Sequence, residues 1–410
     1  MLRPRLAVVL VVMLAAGACS SHSRVAGRPA DRATTSTSST STSSTASTTT
    51  TTTFLRVAAQ AATPSCPPIP QRAEPSPTRP SYVLDLQIDP SAGKVEGRVS
   101  VRFTPDLPTD KLLFRLWPNG PRPAAGGGHL DTGQVMVGAH PVSSSKPNAT
   151  TLQVPVNLGP GQGVDVVVPF SLTLPGAIND RVAKAGDSLR LGSFFPILAW
   201  EPGLGWDTEP AISGFAEASS APIADFRASI AVPDGYQVLA TGIPDGRGRW
   251  TALSVRDFAL SVGHFTEVSG TAMAPQPVAV TVGVAQGINE SPQTYLSKII
   301  KVLEAHAQRF GPYPWAAYTV AITSNLKGGI EYPMHVMQGP GTIGRTTTHE
   351  AGHEWFYALV GNNQGRDPFL DEGLATYAEG RYEGSIASFL ARAIPAEGRG
   401  RAGAPMSYWE

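Results

Sequence analysis

The hydrophobic pattern of this 410-residue chain changes its period once, and this change limits the possible fold more than any other feature. From Tyr82 to Gly263, short segments such as Val95–Phe103 alternate apolar and polar side chains, and turn-forming residues lie between them. A period of two predicts strands that bury one face. From Ser291 the apolar residues recur every three or four positions, which predicts helices. Strands followed by helices favour an α+β protein.

The same patterns divide the chain into four segments. Residues 1–19 are the predicted signal peptide, and residues 20–78 are a predicted disordered linker rich in Ser, Thr and Pro. Residues 79–270 are predicted to form an antiparallel β-sandwich domain. Residues 271–410 form a second domain, whose character follows from the motifs described below. The Ala/Pro-rich stretch 271–277 marks the boundary between the two domains.

The N-terminus has the features of an export signal. Arg3 and Arg5 precede an apolar run, and small residues precede Cys19. The segment Ala16–Cys19 resembles a bacterial lipobox, whose cysteine carries lipid and becomes the first residue of the mature chain. We therefore expect an exported protein of the bacterial cell envelope, with a lipid anchor on Cys19 at the outer face of the cell membrane. An ordinary secretory signal that is cleaved nearby is the alternative.

Composition bears on the stalk, on nucleic-acid binding and on disulfide bonds. Residues 34–53 are all Ser or Thr except Ala46, so they have no apolar groups to bury and are expected to form a flexible stalk. The 32 basic and 32 acidic residues balance, which gives no indication of nucleic-acid binding. If Cys19 carries lipid, the one other cysteine, Cys66, has no partner within the chain. No internal disulfide is then expected.

The segment Thr348–Trp355 reads THEAGHEW and contains the pattern H-E-x-x-H. On an α-helix, His349 and His353 lie one above the other, so both imidazoles can reach one ion. Zinc held by two histidines requires a third protein ligand and an open position for water. Glu350 is placed to take a proton from that water. A helix with two ordinary histidines, in which Thr347 and Glu350 form a capping box, is the alternative.

A second motif, Pro368–Tyr377, follows downstream. Eighteen residues separate His353 from Glu372, at the predicted start of another helix. A carboxylate on a second helix completes a His-His-Glu site for one Zn²⁺ per chain. Considered alone, Glu372 is better explained as a carboxylate favoured by the helix dipole, and the histidine pair upstream is what favours the ligand role.

Two further histidines precede these motifs. His306 lies on a polar stretch of its predicted helix and is expected to be exposed. His335 either lines the pocket or is a hydrogen-bonded strand residue. Neither is needed as a zinc ligand.

The two motifs and their spacing resemble the M1 family of zinc aminopeptidases. Gln308–Pro314 is similar to the family's segment that enters the catalytic domain, and Ala224–Gly242 is similar to part of its N-terminal domain. Gly328–Pro333 is similar to the exopeptidase motif G-A-M-E-N, with isoleucine in place of methionine and tyrosine in place of asparagine. The resemblance implies a thermolysin-like zinc peptidase domain over 271–410.

The resemblance also implies substrate-binding roles for residues of the G-G-I-E-Y segment, which are Gly329, Ile330 and Glu331. Glu331 would recognise the free α-amine of a peptide substrate. The alternative for Glu331 is a solvent-exposed carboxylate on an edge strand.

In the M1 family a tyrosine well beyond the third zinc ligand helps to stabilise the oxyanion. Here 38 residues follow Glu372 (410 − 372), and no tyrosine matches the family's context. Tyr382 and Tyr408 are the nearest candidates. The catalytic domain is therefore expected to be incomplete at its C-terminal end.

Together these features predict a zinc metallopeptidase that acts at the N-terminus of peptides. A thermolysin-like endopeptidase or oligopeptidase is one alternative. A surface protein that binds zinc or peptides without turnover is another, because the C-terminal part of the site is expected to be missing. The sequence gives no indication of the oligomeric state.

Overall fold

The computed structural model describes residues 74–215 and 221–409. The predicted signal peptide with Cys19, and Cys66 with nearly all of the predicted linker, lie outside these residues. From Pro75 onward the described chain forms one compact unit. In this part of the chain, no helix combines the length and apolar character needed to cross a membrane.

Strands come first along the chain and the longer helices follow, as the change of hydrophobic period predicts. The strands are β1 (Ser81–Asp89), β2 (Lys94–Phe103), β3 (Thr109–Arg115), β4 (His129–Thr132), β5 (Val135–Val137), β6 (His140–Val142), β7 (Ser145–Asn148), β8 (Thr151–Leu158), β9 (Val164–Thr173), β10 (Val182–Ala185), β11 (Ser188–Leu191), β12 (Ile197–Leu198), β13 (Trp200–Glu201), β14 (Gly205–Trp206), β15 (Ala224–Ala231), β16 (Gln237–Ala240), β17 (Ile243–Pro244), β18 (Arg249–Val255), β19 (Leu260–Gly263), β20 (Phe265–Met273), β21 (Pro277–Ala285), β22 (Ala317–Ile322), β23 (Gly329–Tyr332) and β24 (His335–Gln338). The helices are α1 (Pro121–Ala125), α2 (Pro292–Phe310), α3 (Arg345–Gly352), α4 (Leu374–Tyr382), α5 (Ile386–Leu390) and α6 (Met406–Trp409). Short 3₁₀ turns lie at Trp117–Asn119 and Ala396–Gly398, and a π-helical turn lies at Phe369–Gly373.

Strands β1 and β2 form a hairpin at the centre of the largest sheet. These strands pair antiparallel, with Ser81 opposite Arg102 and Asp89 opposite Lys94. Among the described residues the sheet has nine strands in the order β17-β18-β15-β1-β2-β9-β5-β6, and β4 also pairs with β9. The prediction of a purely antiparallel sandwich is wrong at one place, because β1 and β15 run parallel. The long crossover through the smaller sheets allows this pairing.

Two smaller sheets share one hydrophobic core with the largest sheet. Their strand orders are β12-β3-β8-β7 and β10-β11-β19-β16. Leu84 of the largest sheet, Leu112 of one smaller sheet and Leu189 of the other are all fully buried in this core. Sheets that face each other across a shared apolar core form a sandwich-like body.

A five-stranded sheet, in the order β20-β21-β22-β24-β23, carries the second part of the described chain. Because β20 (Phe265–Met273) pairs along its whole length with β21, the predicted boundary at 270/271 falls inside a strand. The apolar face of α2 covers this sheet, since Leu296, Ile299 and Leu303 share a core with Val280 and Val320. Strand β23 forms one edge of the sheet.

Buried polar contacts join the two parts next to that edge. The Thr241 hydroxyl donates to the carbonyl oxygen of Pro333 at 2.9 Å. His335 is fully buried, with its Nε2 3.1 Å from Ser261 Oγ and its Nδ1 2.7 Å from Thr319 Oγ1. Of the two interpretations of His335, the structure supports a hydrogen-bonded strand residue. These contacts fix the position of β24 and, through it, of β23.

The prediction that His306 is exposed is wrong, because α3 and the Trp355 ring cover it. Its Nε2 lies 3.3 Å from the carbonyl oxygen of Thr348, and burial lowers the pKa of His306 to about 4. Burial also lowers the pKa of His335, to about 3. Both values lie below the pKa of about 6.5 of an exposed histidine, so both side chains are neutral in the folded protein at pH 7.

These two histidines should make the protein less stable in acid. As the pH falls from 6.5 towards 4, the unfolded chain binds protons that the folded protein does not bind, so their contribution to stability is complete above pH 6.5 and decreases below it. For His306 the loss is on the order of 3 kcal/mol. The Tm is expected to fall across this interval, and to fall less steeply in His306→Gln. Equal pH dependence of Tm in the variant and the wild type would contradict the assignment.

Candidate metal centre

The two histidines of the H-E-x-x-H motif lie on one face of α3, as predicted. Gly344 precedes α3 with a φ of 107°, a backbone conformation that favours glycine. Gly352 is the last residue of the helix, and His353 continues it with φ −63° and ψ −18°. The helical spacing of four residues is therefore kept. It places the Nε2 atoms of His349 and His353 3.0 Å apart.

Glu372 joins them, as the spacing predicts. It lies in the π-helical turn Phe369–Gly373 that leads into α4, and its Oε2 is 3.2 Å from His349 Nε2. The three donor atoms lie within 4.8 Å of one another. In a tetrahedral zinc site with bonds of about 2.0–2.1 Å, neighbouring donor atoms are about 3.3 Å apart. The donor types and their spacing therefore fit one zinc ion.

Two further carboxylates orient the histidine rings. Asp371 is fully buried, and its Oδ1 lies 2.6 Å from His353 Nδ1. Glu379, on α4, places its Oε2 3.5 Å from His349 Nδ1, and its Oε1 accepts a hydrogen bond from Arg345 Nε. A carboxylate at Nδ1 holds the proton there and leaves the Nε2 lone pair for a metal. Sequence reasoning missed both residues.

The electrostatics of the three donors favour a cation among them. Burial by itself would lower the pKa of His349, but the carboxylates of Glu372 and Glu379 outweigh burial and raise it to about 9. Burial by itself would raise the pKa of Glu372, but the two histidines outweigh it and lower the pKa to about 2. Without metal, His349 is therefore protonated at pH 7 while Glu372 is ionised, and zinc binding would release the proton of His349.

Glu350 and Glu331 lie beside the same centre. Oxygen atoms of their two carboxylates and a ring nitrogen of His353 lie within 4.8 Å of one another. Both glutamates are buried, with relative exposures of 5% for Glu350 and 4% for Glu331. Glu331 is on edge strand β23, but its carboxylate is not exposed to solvent as the alternative interpretation required. The structure brings the predicted base and the predicted amine-binding residue to one place.

Gly329 allows this close arrangement. A Cβ atom built on Gly329 would lie 2.5 Å from Cγ, Cδ and Oε1 of Glu350. Real carbon atoms do not approach this closely, so any larger residue would displace the Glu350 carboxylate. The glycine therefore provides the space in which the predicted base lies.

Ile330 points to the other side of β23. Its side chain packs with Ala259, Leu326, Tyr332 and Met337 in a separate buried cluster, as strand alternation requires. Any contact of Ile330 with a substrate would therefore involve its main chain. The Tyr332 hydroxyl lies 3.3 Å from Ser193 Oγ on the same side, away from Glu331.

Neither tyrosine considered for the oxyanion lies at the metal centre. The Tyr382 ring packs on α2, with its centroid 4.4 Å from Lys298 Nζ and 6.1 Å from the His306 ring. The Tyr408 hydroxyl donates to the carbonyl oxygen of Glu397 at 3.0 Å. Both side chains are therefore engaged elsewhere.

The loop between His353 and Glu372 is attached to the sandwich part of the chain. Asn363 Nδ2 donates to Glu201 Oε1 at 2.8 Å, and Arg366 Nη1 lies 3.0 Å from Glu201 Oε2. Arg256 Nη2 donates to the carbonyl oxygen of Asn362 at 3.0 Å. These contacts fix the path of the eighteen-residue spacer and so the place where Glu372 enters the site.

Comparison with the sequences of known proteins gives a short match. No family model matches the sequence. The leukotriene A-4 hydrolase of Xenopus laevis is 28% identical over 131 residues, which is 27% of this chain and 22% of the hydrolase. The match thus spans about a fifth of that relative's length.

Solved structures give a wider match. A mutant of the M1 zinc metallopeptidase from Deinococcus radiodurans has a TM-score of 0.56 at 18% identity, over 75% of this chain and 72% of that chain. A two-domain M1 zinc metallopeptidase mutant bound to L-arginine has a TM-score of 0.55 at 18% identity, over 77% and 72%. A Deinococcus radiodurans mutant bound to a Tyr-Ser-Ala substrate has a TM-score of 0.53 at 20% identity, over 77% and 72%. The chain therefore has the fold of the M1 zinc metallopeptidases.

Proposed function

We propose that this protein is a zinc-dependent metallopeptidase that removes residues from the N-terminus of peptides. The observation that carries the proposal is the convergence of His349, His353 and Glu372, with Glu350 and Glu331 beside them. The likeness to M1 zinc metallopeptidases supports it. The segment that is similar to leukotriene A-4 hydrolase supports it as well.

His349, His353 and Glu372 would hold the zinc ion, and Asp371 and Glu379 would keep the two rings in place. Zinc bound there would polarise the scissile carbonyl and lower the pKa of a water molecule to about 7. The Glu350 carboxylate accepts the proton of the attacking water and passes it to the nitrogen of the leaving amine. Close packing against Gly329 limits the positions that this carboxylate can take.

Glu331 sets where the substrate chain begins. A buried carboxylate beside the metal centre attracts the ammonium group of a free N-terminus much more strongly than an exposed one does. An ammonium held there stops the peptide from entering further, so the bond presented to Glu350 is the first one. An acetylated N-terminus has no charge to pair with Glu331.

The test is hydrolysis of an aminoacyl fluorogenic substrate by the purified protein, together with measurement of its zinc content. We expect one zinc per chain, and activity that a chelator removes and added zinc restores. Glu331→Ala should lower kcat/KM roughly 10- to 150-fold, because it removes a hydrogen-bonded charge partner. Glu96→Ala, which removes an exposed carboxylate on β2, should leave kcat/KM unchanged.

Three results would contradict the proposal. A protein without stoichiometric zinc would exclude the metal centre. Equal activity on free and N-acetylated peptides, unaffected by Glu331→Ala, would indicate an endopeptidase or oligopeptidase. Stoichiometric zinc without any hydrolysis would indicate a binding protein.

A further inference from the structure

The side chain of Gln364 lies between the carboxylates of Asp371 and Glu331. Its side chain is buried, with 1% relative exposure. Its Nε2 donates to Asp371 Oδ2 at 2.6 Å and to Glu331 Oε1 at 3.3 Å. One amide nitrogen with two hydrogens thus reaches two carboxylates.

The chemistry of the partners settles which atom of the amide faces them. Ionised carboxylates only accept hydrogen bonds, so the group between Asp371 and Glu331 must be the donating NH₂ of Gln364 and not its oxygen. A carboxylate or an apolar side chain at this position could not donate to both. Glutamine at residue 364 is therefore matched to its neighbours in both length and chemistry.

The two carboxylates have separate tasks. Asp371 uses its other oxygen, Oδ1, to hold His353 Nδ1 at 2.6 Å, and so orients a zinc ligand. Glu331 is the residue to which we assign the substrate amine. Both are buried, and both accept a hydrogen bond from the same amide nitrogen of Gln364. The Gln364 amide therefore links the two carboxylates by hydrogen bonds that a buried acceptor needs.

We propose that Gln364 is a positioning residue that couples amine recognition at Glu331 to the support of the zinc ligand His353. The inference rests on the proposed function for the role of Glu331, whereas the contact through Asp371 to His353 stands on the structure. Loss of the amide leaves Glu331 and Asp371 with one hydrogen-bond donor fewer each. Both the amine site and the metal site then weaken.

The main chain at Gln364 is held independently of its side chain. Asn363 and Arg366 attach the loop to Glu201, and Arg256 holds the carbonyl oxygen of Asn362. A substitution at residue 364 therefore changes the amide contacts without removing the contacts that place the loop.

The experiment compares Gln364→Leu with the matched control Gln338→Leu. Gln338 has the same 1% exposure, but its Nε2 donates to the hydroxyls of Thr342 and Thr347, both at 2.9 Å. Zinc affinity is measured by competition with a chromogenic chelator. Binding of L-arginine and of N-acetyl-L-arginine to the zinc-loaded protein is measured by calorimetry.

For Gln364→Leu we expect zinc affinity to fall about 10- to 100-fold, and L-arginine affinity to fall about 10-fold. Binding of N-acetyl-L-arginine should not change. With saturating zinc, KM for the aminoacyl substrate should rise more than kcat falls. Gln338→Leu should change both affinities by less than twofold.

Affinities for zinc and L-arginine within twofold of wild type would overturn the proposal, and so would a loss of zinc affinity alone. If Gln364→Leu does not fold, Gln364→Glu keeps the shape but not the donor, and the same criteria apply to it. If the wild type itself binds zinc but not L-arginine, the amine site of the proposed function fails. An unchanged zinc affinity in the variant would show that Gln364 does not support His353, whether or not the proposed function holds.

Discussion

Glu350→Gln is expected to lower kcat by about 10²- to 10⁴-fold while zinc stays bound. The amide has the shape of the carboxylate but cannot accept a proton from water at neutral pH. The other carboxylate nearby, Glu331, is the one proposed to pair with the substrate amine, so we do not expect it to replace Glu350 as the base. His349, His353 and Glu372, which would hold zinc, are untouched by this substitution.

Glu354→Gln is the matched control, because Glu354 is a buried glutamate that directly follows the motif. Its carboxylate accepts hydrogen bonds from the main-chain N–H of Met334 at 3.2 Å, and burial raises the pKa of Glu354 to about 8. It is therefore largely protonated at pH 7, and an amide is a close mimic of that form. Steady-state kinetics and zinc content are measured for both variants. A kcat for Glu350→Gln within tenfold of wild type would remove Glu350 from the mechanism.

Gly329→Ala is expected to reduce kcat by a similar factor, about 10²- to 10⁴-fold, because it displaces the carboxylate of Glu350. The added methyl group occupies the space of the Glu350 carboxylate, from which its carbon would be 2.5 Å away. The clash involves Cγ of Glu350 as well as its carboxylate, so the side chain must turn aside from Cγ outward. Its displacement removes the base from the water and from the leaving nitrogen.

The double variant Gly329→Ala with Glu350→Gln separates this explanation from general damage. Because both changes act on one group, the double variant should be no slower than Glu350→Gln alone. Zinc content and Tm should stay close to wild type. Gly176→Ala is the control, since a Cβ there meets no atom within 4 Å. Independent, additive losses of activity would show that Gly329 acts in another way.

Features of the site that depend on residues close together in the sequence could be predicted, because the geometry of a single helix or strand determines them. A spacing of four residues on a helix is enough to bring His349 and His353 together. The alternation of β23 likewise separates the Glu331 side from the Ile330 side. Glu379, by contrast, was missed, because a π-helical turn separates it from Glu372 and regular helical periodicity does not relate the two residues.

The other features depend on packing between distant segments. The exposure of His306 was predicted wrongly because periodicity within α2 does not reveal that α3 and Trp355 cover it. The parallel pairing of β1 with β15 joins residues more than 130 positions apart, such as Ser81 and Asp225. Gln364 lies in a loop without any period, so only the folded chain brings it to Asp371 and Glu331.

The contacts of Arg366 and Asn363 with Glu201 make the position of Glu372 depend on the sandwich. His349 and His353 are held by α3 and the residue that follows it, while the loop that leads to Glu372 is attached to a hairpin 162 residues earlier in the chain. A tilt of the sandwich against the second part of the chain would therefore change the distance between Glu372 and the two histidines. The sandwich therefore helps to set the geometry of the candidate metal centre, although none of the three donor side chains belongs to it.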